Sequence, residues 1–171
     1  MKKGQPKIVL FGVRSLPPNI QEHTLLQNIE KMIDLISAEI KLVVDVIEVS
    51  FVDEEAITEI NYETRDISSS TDVLSFEAGK LDREKIAEVY VCYPVIEAKV
   101  SEVVHDVTDE EFLEVVVKEL IRMLIHGLLH TNGYDHSTEL EYGYEDDNPE
   151  AMFIEQERIL KIILKTYQKS N

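Results

Sequence analysis

At 171 residues, the chain is long enough to bury a hydrophobic core and short enough to form one domain. Hydrophobic residues make up 44% and charged residues 30%, and no apolar run approaches the roughly 18 residues of a membrane-spanning helix. Lys and Arg number 17 against 34 Asp and Glu, so the formal net charge of −17 disfavours non-specific binding of nucleic acid, and an RNA substrate would need a locally positive cleft.

The first part of the chain alternates predicted strands and helices. Residues 7–13 are rich in β-branched and aromatic side chains, which favours a strand. A helix is predicted over residues 21–40 and a second strand over residues 41–49. The apolar stripe of this helix consists of Leu25, Ile29, Met32, Ile33 and Ile36. A further helix over residues 53–64 begins at an aspartate, which is a preferred N-cap residue.

The middle of the chain contains two more predicted strands, over residues 72–76 and 88–93. Proline suits the first turn of a helix, so Pro94 indicates a helix that runs to about His105. Cys92 is the one cysteine of the sequence and can form no internal disulfide, which favours a cytoplasmic location.

A long helix is predicted from a capping box at Thr108 and Glu111 to about His130. Residues 137–149 are acidic and irregular, which indicates a loop, and helical periodicity resumes over residues 150–167. Strands interleaved with helices, followed by successive helices, predict an α+β fold with a small mixed sheet of about four strands. Because repeats and linker-like tracts are absent from the sequence, we predict one domain over residues 1–171.

Three histidines carry the clearest functional signal. His126, His130 and His136 follow the spacing His-x3-His-x5-His, with Gly133 before the third. Two histidines four residues apart on a helix share one face, and a zinc ion can bridge them. Gly133 can adopt the positive φ that ends a helix and so return His136 to the same ion. Three protein ligands leave one tetrahedral position open, which is typical of catalytic zinc, although imidazole also suits other divalent transition metals.

A zinc ion with an open position supports hydrolysis as a Lewis acid. The same histidine spacing occurs in metzincin proteases, but Gly127 occupies the position of their glutamate base, which disfavours peptide hydrolysis by that mechanism. Asp135 suits either a base or an acceptor that orients a ligating histidine. Glu139 and Glu141 are near in sequence, as candidate bases or as solvated loop carboxylates.

A second segment contains Asn61, Arg65 and the run Thr-Asp-Val-Leu-Ser-Phe over residues 71–76. An arginine at a helix end often serves only as a surface cation that complements the helix dipole. Near a zinc ion, a guanidinium would also suit a phosphate, because it binds two phosphate oxygens in a planar fork. Thr71 and Asp72 could fix the turn into the following strand.

With both segments considered, the chain resembles the YbeY family of bacterial metal-dependent endoribonucleases. The family signature is close to His-Gly-x-Leu-His-Leu-x-Gly-Tyr-Asp-His, and residues 126–136 match it except at Thr131. The family's Asn-x-x-x-Arg pattern and its Thr-Asp-Val-Leu-Ser-Phe motif match Asn61, Arg65 and residues 71–76.

The resemblance implies a zincin-like α+β fold and single-strand-specific cleavage of RNA. It implies a role in ribosomal RNA maturation, especially at the small-subunit 3′ end, and in ribosome quality control. His126, His130 and His136 would hold one zinc ion per chain, and Arg65 would act at the scissile phosphate. Ribosomal RNA would be the partner, with a ribosomal subunit or assembly proteins left open as further partners.

Two alternatives stay open at this point. The first is a zinc-dependent hydrolase of another substrate, such as a peptide or a small phosphoester, which the high negative charge and the possible carboxylate bases motivate. The second is a ribosome-associated assembly factor with low intrinsic activity, in which zinc mainly holds the helix and loop together.

Overall fold

The structure is a computed structural model that describes residues 5–81, 84–134 and 149–168. Its strands are β1 (Lys7–Phe11), β2 (Val46–Phe51), β3 (Val73–Leu81) and β4 (Glu84–Val91). Its α-helices are α1 (Pro18–Gln21), α2 (Ile29–Glu39), α3 (Glu54–Arg65), α4 (Tyr93–Val103), α5 (Asp109–Thr131) and α6 (Pro149–Gln168).

The strands form one mixed sheet in the order β1-β2-β4-β3. β2 lies parallel to both β1 and β4, with Val46 opposite Ile86 in the second pair. β3 runs antiparallel to β4, with Val73 opposite Val91, and occupies one edge of the sheet. The predicted α+β class with a small mixed sheet of four strands is therefore confirmed.

The main core lies between one face of this sheet and the helices α2, α4, α5 and α6. Ala87, Val89 and Val91 alternate along β4 and point into this core, as the two-residue repeat of a strand requires. α5 contributes the longest series of fully buried side chains: Val117, Leu120, Ile121, Leu124, Ile125, Leu128 and Leu129. The helix that carries the histidine motif is thus positioned by packing along most of its length.

The start of α5 is a capping box, as predicted. The backbone N–H of Glu111 donates to Thr108 Oγ1 at 3.2 Å, and the Glu111 carboxylate accepts from the Thr108 backbone N–H at 2.8 Å. These two bonds satisfy donors that a helix N-terminus otherwise leaves without partners. Within the described residues, no helix is both long and apolar enough to cross a membrane.

A smaller core forms on the other face of the sheet, where α3 packs. Ile57 of α3 packs in one cluster with Leu74 and Tyr90. Along their strands, Leu74 and Tyr90 alternate with residues of the main core, so their side chains point to the opposite face of the sheet. The predicted N-cap is present, since the Asp53 carboxylate accepts from the backbone N–H of Ala56 at 2.9 Å.

The prediction of one continuous helix over residues 21–40 is wrong in its first half. α1 ends at Gln21, a short 3-10 turn follows at Leu26–Asn28, and α2 begins only at Ile29. His23 closes the intervening turn, because its Nδ1 accepts from the Leu25 backbone N–H at 3.3 Å and its Nε2 contacts Glu114 at 2.9 Å. The predicted apolar stripe is buried nonetheless.

The strand predicted over residues 41–49 is shifted towards the C-terminus. Lys41 has a φ of 54°, in the left-handed region, and the Leu42 N–H donates to the carbonyl of Ser37 at 2.9 Å. Residues 41–45 therefore end α2 and connect it to β2, which pairs only from Val46 onwards.

Candidate metal centre

His126 and His130 lie one turn apart on α5, and their imidazole rings meet edge to face. The ring centroids are 4.7 Å apart at an interplanar angle of 77°. The two Nε2 atoms are 3.2 Å apart. The spacing of four residues therefore places both imidazoles on one face of the helix, as predicted.

The Nδ1 atom of each ring is held by an oxygen acceptor. His126 Nδ1 donates to Gln156 Oε1 at 2.9 Å, and His130 Nδ1 donates to the backbone carbonyl of Tyr134 at 2.6 Å. Carbonyl and amide oxygens only accept, so each Nδ1 carries a hydrogen, and the neutral form of each ring is therefore the Nδ1–H tautomer. In that tautomer, both Nε2 atoms present a lone pair, which is what a metal ion requires.

The end of α5 supplies the acceptor for His130. Gly133 has a φ of 90°, which L side chains rarely adopt. The Gly133 N–H donates to the carbonyl of His130 at 3.0 Å, and the Tyr134 N–H donates to that of Leu129 at 3.2 Å. These two bonds form a Schellman motif, so Gly133 ends the helix as predicted and brings the Tyr134 carbonyl to the imidazole.

The histidine pair fits two neighbouring positions of a tetrahedral zinc ion. Zinc–nitrogen bonds of about 2.0–2.1 Å at tetrahedral angles separate two nitrogen ligands by about 3.3 Å. The separation of 3.2 Å between the two Nε2 atoms matches this value. Within the described ranges, no group of three or more His, Cys, Asp or Glu residues is arranged to hold a metal.

Of the other predicted site residues, only Arg65 lies within the part of the chain that the structure describes. His136 lies outside the described residues, as do Asp135, Glu139 and Glu141. Arg65 is the exposed last residue of α3, which packs on the sheet face opposite α5.

Gly127 has a packing role that the sequence alone did not reveal. A Cβ atom at this position would lie 2.6 Å from Val89 Cγ1 and 3.2 Å from Val73 Cγ2. The absence of a side chain therefore allows α5 to approach β3 and β4 closely, one residue after His126. The same position in metzincins carries a catalytic glutamate, for which this close contact leaves no room.

The segment before β3 is organised by Asp72. Its carboxylate accepts from the Val73 N–H at 3.1 Å, from Thr71 Oγ1 at 3.2 Å and from Lys99 Nζ at 2.6 Å. The buried Asn61 donates from Nδ2 to the carbonyl of Ser69 at 2.8 Å. Thr71 and Asp72 thus fix the turn into the strand, as predicted.

Gln156 is the residue near the pair that sequence reasoning missed. It lies on α6, is 5% exposed, and contacts His126 across 30 positions of sequence. The neighbouring Glu157 accepts from Arg122 Nε at 2.7 Å, and Arg122 also pairs with Glu119. A glutamine within the apolar stripe of a helix is a signal that could have pointed to a polar role.

The contact between Arg122 and Glu157 predicts acid-dependent loss of stability. The hydrogen bond from Arg122 lowers the pKa of the Glu157 carboxyl against an opposing effect of burial. Since the folded-state pKa is the lower one, the stabilisation is complete above the ordinary pKa of 4.5 and is lost as the pH falls through the lowered value. Thermal unfolding of metal-free Arg122→Met, which lacks this contact, should therefore depend less on pH than that of the wild type between about pH 6 and pH 3.

Lys161→Met provides the matched control, because Lys161 is an exposed cation on α6. Its melting temperature should follow the wild-type pH dependence. Parallel curves for the wild type and Arg122→Met would contradict the prediction.

The comparison with known proteins gives the family. The model of the endoribonuclease YbeY family matches residues 14–163 of this chain. This chain belongs to the YbeY family. It is 39% identical over 121 residues to an endoribonuclease YbeY of Thermosipho melanesiensis, covering 71% of this chain and 75% of that protein. An endoribonuclease YbeY of Thermotoga maritima is 33% identical over 139 residues, covering 80% of this chain and 79% of the relative.

A solved structure agrees with this membership. The solution structure of TM1509 from Thermotoga maritima aligns with a TM-score of 0.55 and 28% identity, covering 95% of this chain and 93% of TM1509. The YbeY resemblance drawn from the two sequence motifs is therefore confirmed. As a YbeY endoribonuclease, the chain is a hydrolase that acts on RNA.

Proposed function

We propose that this chain is a single-strand-specific, zinc-dependent endoribonuclease that acts in ribosomal RNA maturation. Its target is the 3′ end of the small-subunit RNA, and it takes part in ribosome quality control. YbeY membership supports the nuclease activity. The observation that supports the metal is the pair of Nε2 atoms 3.2 Å apart, each on a ring whose Nδ1 is held by an oxygen.

His126, His130 and His136 hold one metal ion per chain in this proposal. Zinc is the favoured ion because three imidazoles with one open position suit it, although other divalent transition metals bind imidazole. When bound, it supplies a Lewis acid at the phosphate. The protein's own part is to orient both described rings and to hold the hydrogen on Nδ1, which the acceptors at Gln156 and Tyr134 accomplish.

Arg65 binds the scissile phosphate and offsets its negative charge in this proposal. Arg122 and Arg158 are held in ion pairs with glutamates, whereas the Arg65 guanidinium makes no hydrogen bond or ion pair to any residue the structure describes. Its guanidinium donors therefore face no competitor among the described residues. A local cation matters here because the chain's net charge of −17 repels RNA at long range.

The test is cleavage of an end-labelled single-stranded RNA, beside a duplex of the same sequence. Cleavage of the single strand alone is expected, with loss on chelation and recovery on addition of zinc. Arg65→Ala should lower the rate by about 10²–10³, the usual effect of losing one charge-stabilising donor. Arg14→Ala, which removes another exposed arginine, should cleave like the wild type.

The product ends identify the attacking group, because a 2′,3′-cyclic phosphate requires attack by the RNA 2′-OH. A small-subunit RNA precursor extended at its 3′ end should be shortened in the same assay. Cleavage that resists chelation would contradict zinc dependence. Zinc at one per chain without RNA cleavage would favour the hydrolase of another substrate or the assembly factor.

The single domain over residues 1–171 and the cytoplasmic location stay predictions from the sequence. So do the ribosomal partners, whether a ribosomal subunit or assembly proteins.

A further inference from the structure

We propose that Gln156 is a positioning residue that fixes the tautomer and ring orientation of His126, so that Nε2 faces the metal. The inference rests on the proposed metal site and assigns a function to α6 within it. Gln156 touches no reacting atom and acts only through the imidazole.

Burial makes the contact between Gln156 and His126 directional. Gln156 is 5% exposed, and its Oε1 lies 2.9 Å from His126 Nδ1. Its neighbours on the same face of α6 are apolar and buried: Met152, Ile159, Leu160 and Ile163. A buried amide that lost its partner would incur a desolvation cost, so the glutamine and the imidazole hold each other in place.

Glu157 determines which end of the Gln156 amide group faces His126. Arg122 donates to the Glu157 carboxylate at 2.7 Å, and the Gln156 side chain lowers the pKa of that carboxyl further, as a neighbouring donor does. A carboxylate can only accept, so the NH2 group of Gln156 faces Glu157 and the oxygen is left for His126. The series Arg122, Glu157, Gln156 and His126 thus begins and ends on α5 and passes through α6.

The two histidines differ in how their orientation is maintained. His130 Nδ1 donates to a backbone carbonyl in the turn that ends α5, which no side-chain substitution at Tyr134 removes. His126 depends on a side chain that a substitution can replace. A ring without its Nδ1 acceptor can carry the hydrogen on Nε2 instead, and that tautomer has no lone pair for a metal.

The experiment compares zinc affinity, by competition with a chromogenic chelator, in the wild type and three variants of α6. Gln156→Met retains length and removes the acceptor, and should weaken zinc binding by about 10–100-fold. Gln156→Glu restores an acceptor and should bind within a few-fold of the wild type. Met152→Leu, a volume-conserving change one turn away in the same buried stripe, should leave affinity unchanged.

A second readout does not require metal. Long-range proton–nitrogen NMR spectra of the metal-free proteins at about pH 8, where imidazole is neutral, report which ring nitrogen carries the hydrogen. His126 should carry it on Nδ1 in the wild type and in Gln156→Glu, and shift towards Nε2 in Gln156→Met. Arg122→Met, which releases Glu157, should move the His126 hydrogen towards Nε2 in the same way but to a smaller extent. This variant provides the test if Gln156→Met does not fold.

The outcomes separate this inference from the proposed metal site. Unchanged zinc affinity and an unchanged His126 tautomer in Gln156→Met would overturn the role of Gln156. A wild type that binds no zinc would overturn the metal site, and the NMR comparison would still decide whether Gln156 orients the ring. Weakening by Met152→Leu equal to that by Gln156→Met would show a packing effect only.

Discussion

Replacing His130 with alanine is expected to abolish zinc binding and to lower RNA cleavage by about a thousandfold or more. A metal ion contributes several kcal/mol of charge stabilisation to phosphoryl chemistry, and about 4 kcal/mol corresponds to a thousandfold in rate. His130 carries one of the two Nε2 atoms that face each other on α5. Metal analysis and cleavage of a labelled single-stranded RNA measure the two effects on the same preparation.

His105→Ala is the matched control, because it removes an exposed histidine beyond the end of α4. Preparing it in the same way reveals contaminating nucleases, which would be equally active in both variants. Equal zinc content and equal cleavage by His130→Ala and the control would remove His130 from the site.

Replacing Gly127 with glutamate is expected to destabilise the fold by about 3 kcal/mol or more. The added Cβ would meet Val89 at 2.6 Å, and the carboxyl group would be driven against apolar side chains of the core. The denaturant midpoint of the metal-free protein measures this loss independently of activity. A Gly127→Glu protein as stable as the wild type would contradict the close-packing role.

Alanine at the same position tests the steric part alone. Gly127→Ala gains up to about 1 kcal/mol of helix propensity, so a net loss would have to come from the contact with the sheet. In the double variant with Val89→Ala, the space that opens should relieve that contact. The interaction energy of the double-mutant cycle should therefore be favourable and exceed about 0.5 kcal/mol.

Those elements whose ends carry explicit signals were predictable from sequence. Thr108 and Glu111 marked the start of α5, Asp53 marked the start of α3, and Gly133 marked the end of the histidine helix. In each case a side chain or a positive φ satisfies the backbone groups at a helix terminus, so the signal and the structure have the same local cause.

Elements that depend on distant contacts were less predictable. The stripe through Leu25 and Ile29 is buried as expected, but the apolar pattern alone did not reveal that the helix is interrupted. The interruption depends on His23, whose ring bonds both to the local turn and to Glu114 of α5. No periodicity in the segment itself encodes that second partner.

The candidate site shows the same division. The spacing of His126 and His130 predicted their shared face, because helix geometry is local. Gln156 was missed because its significance comes from a partner on another helix. From the sequence, Gly127 indicated only that the glutamate base of metzincins is absent. Its close packing against Val89 and Val73 can be recognised only when the position of α5 on the sheet is known.

The dependence of His126 on α6 has a consequence for the order in which the protein is made. A ribosome that has synthesised the chain as far as Tyr134 has produced both imidazoles and the carbonyl that orients His130. The acceptor for His126 is encoded 30 residues after that histidine, on a helix that docks against α5 only later. In a nascent chain, His130 is therefore oriented before His126. The nuclease matures when α6 folds against α5.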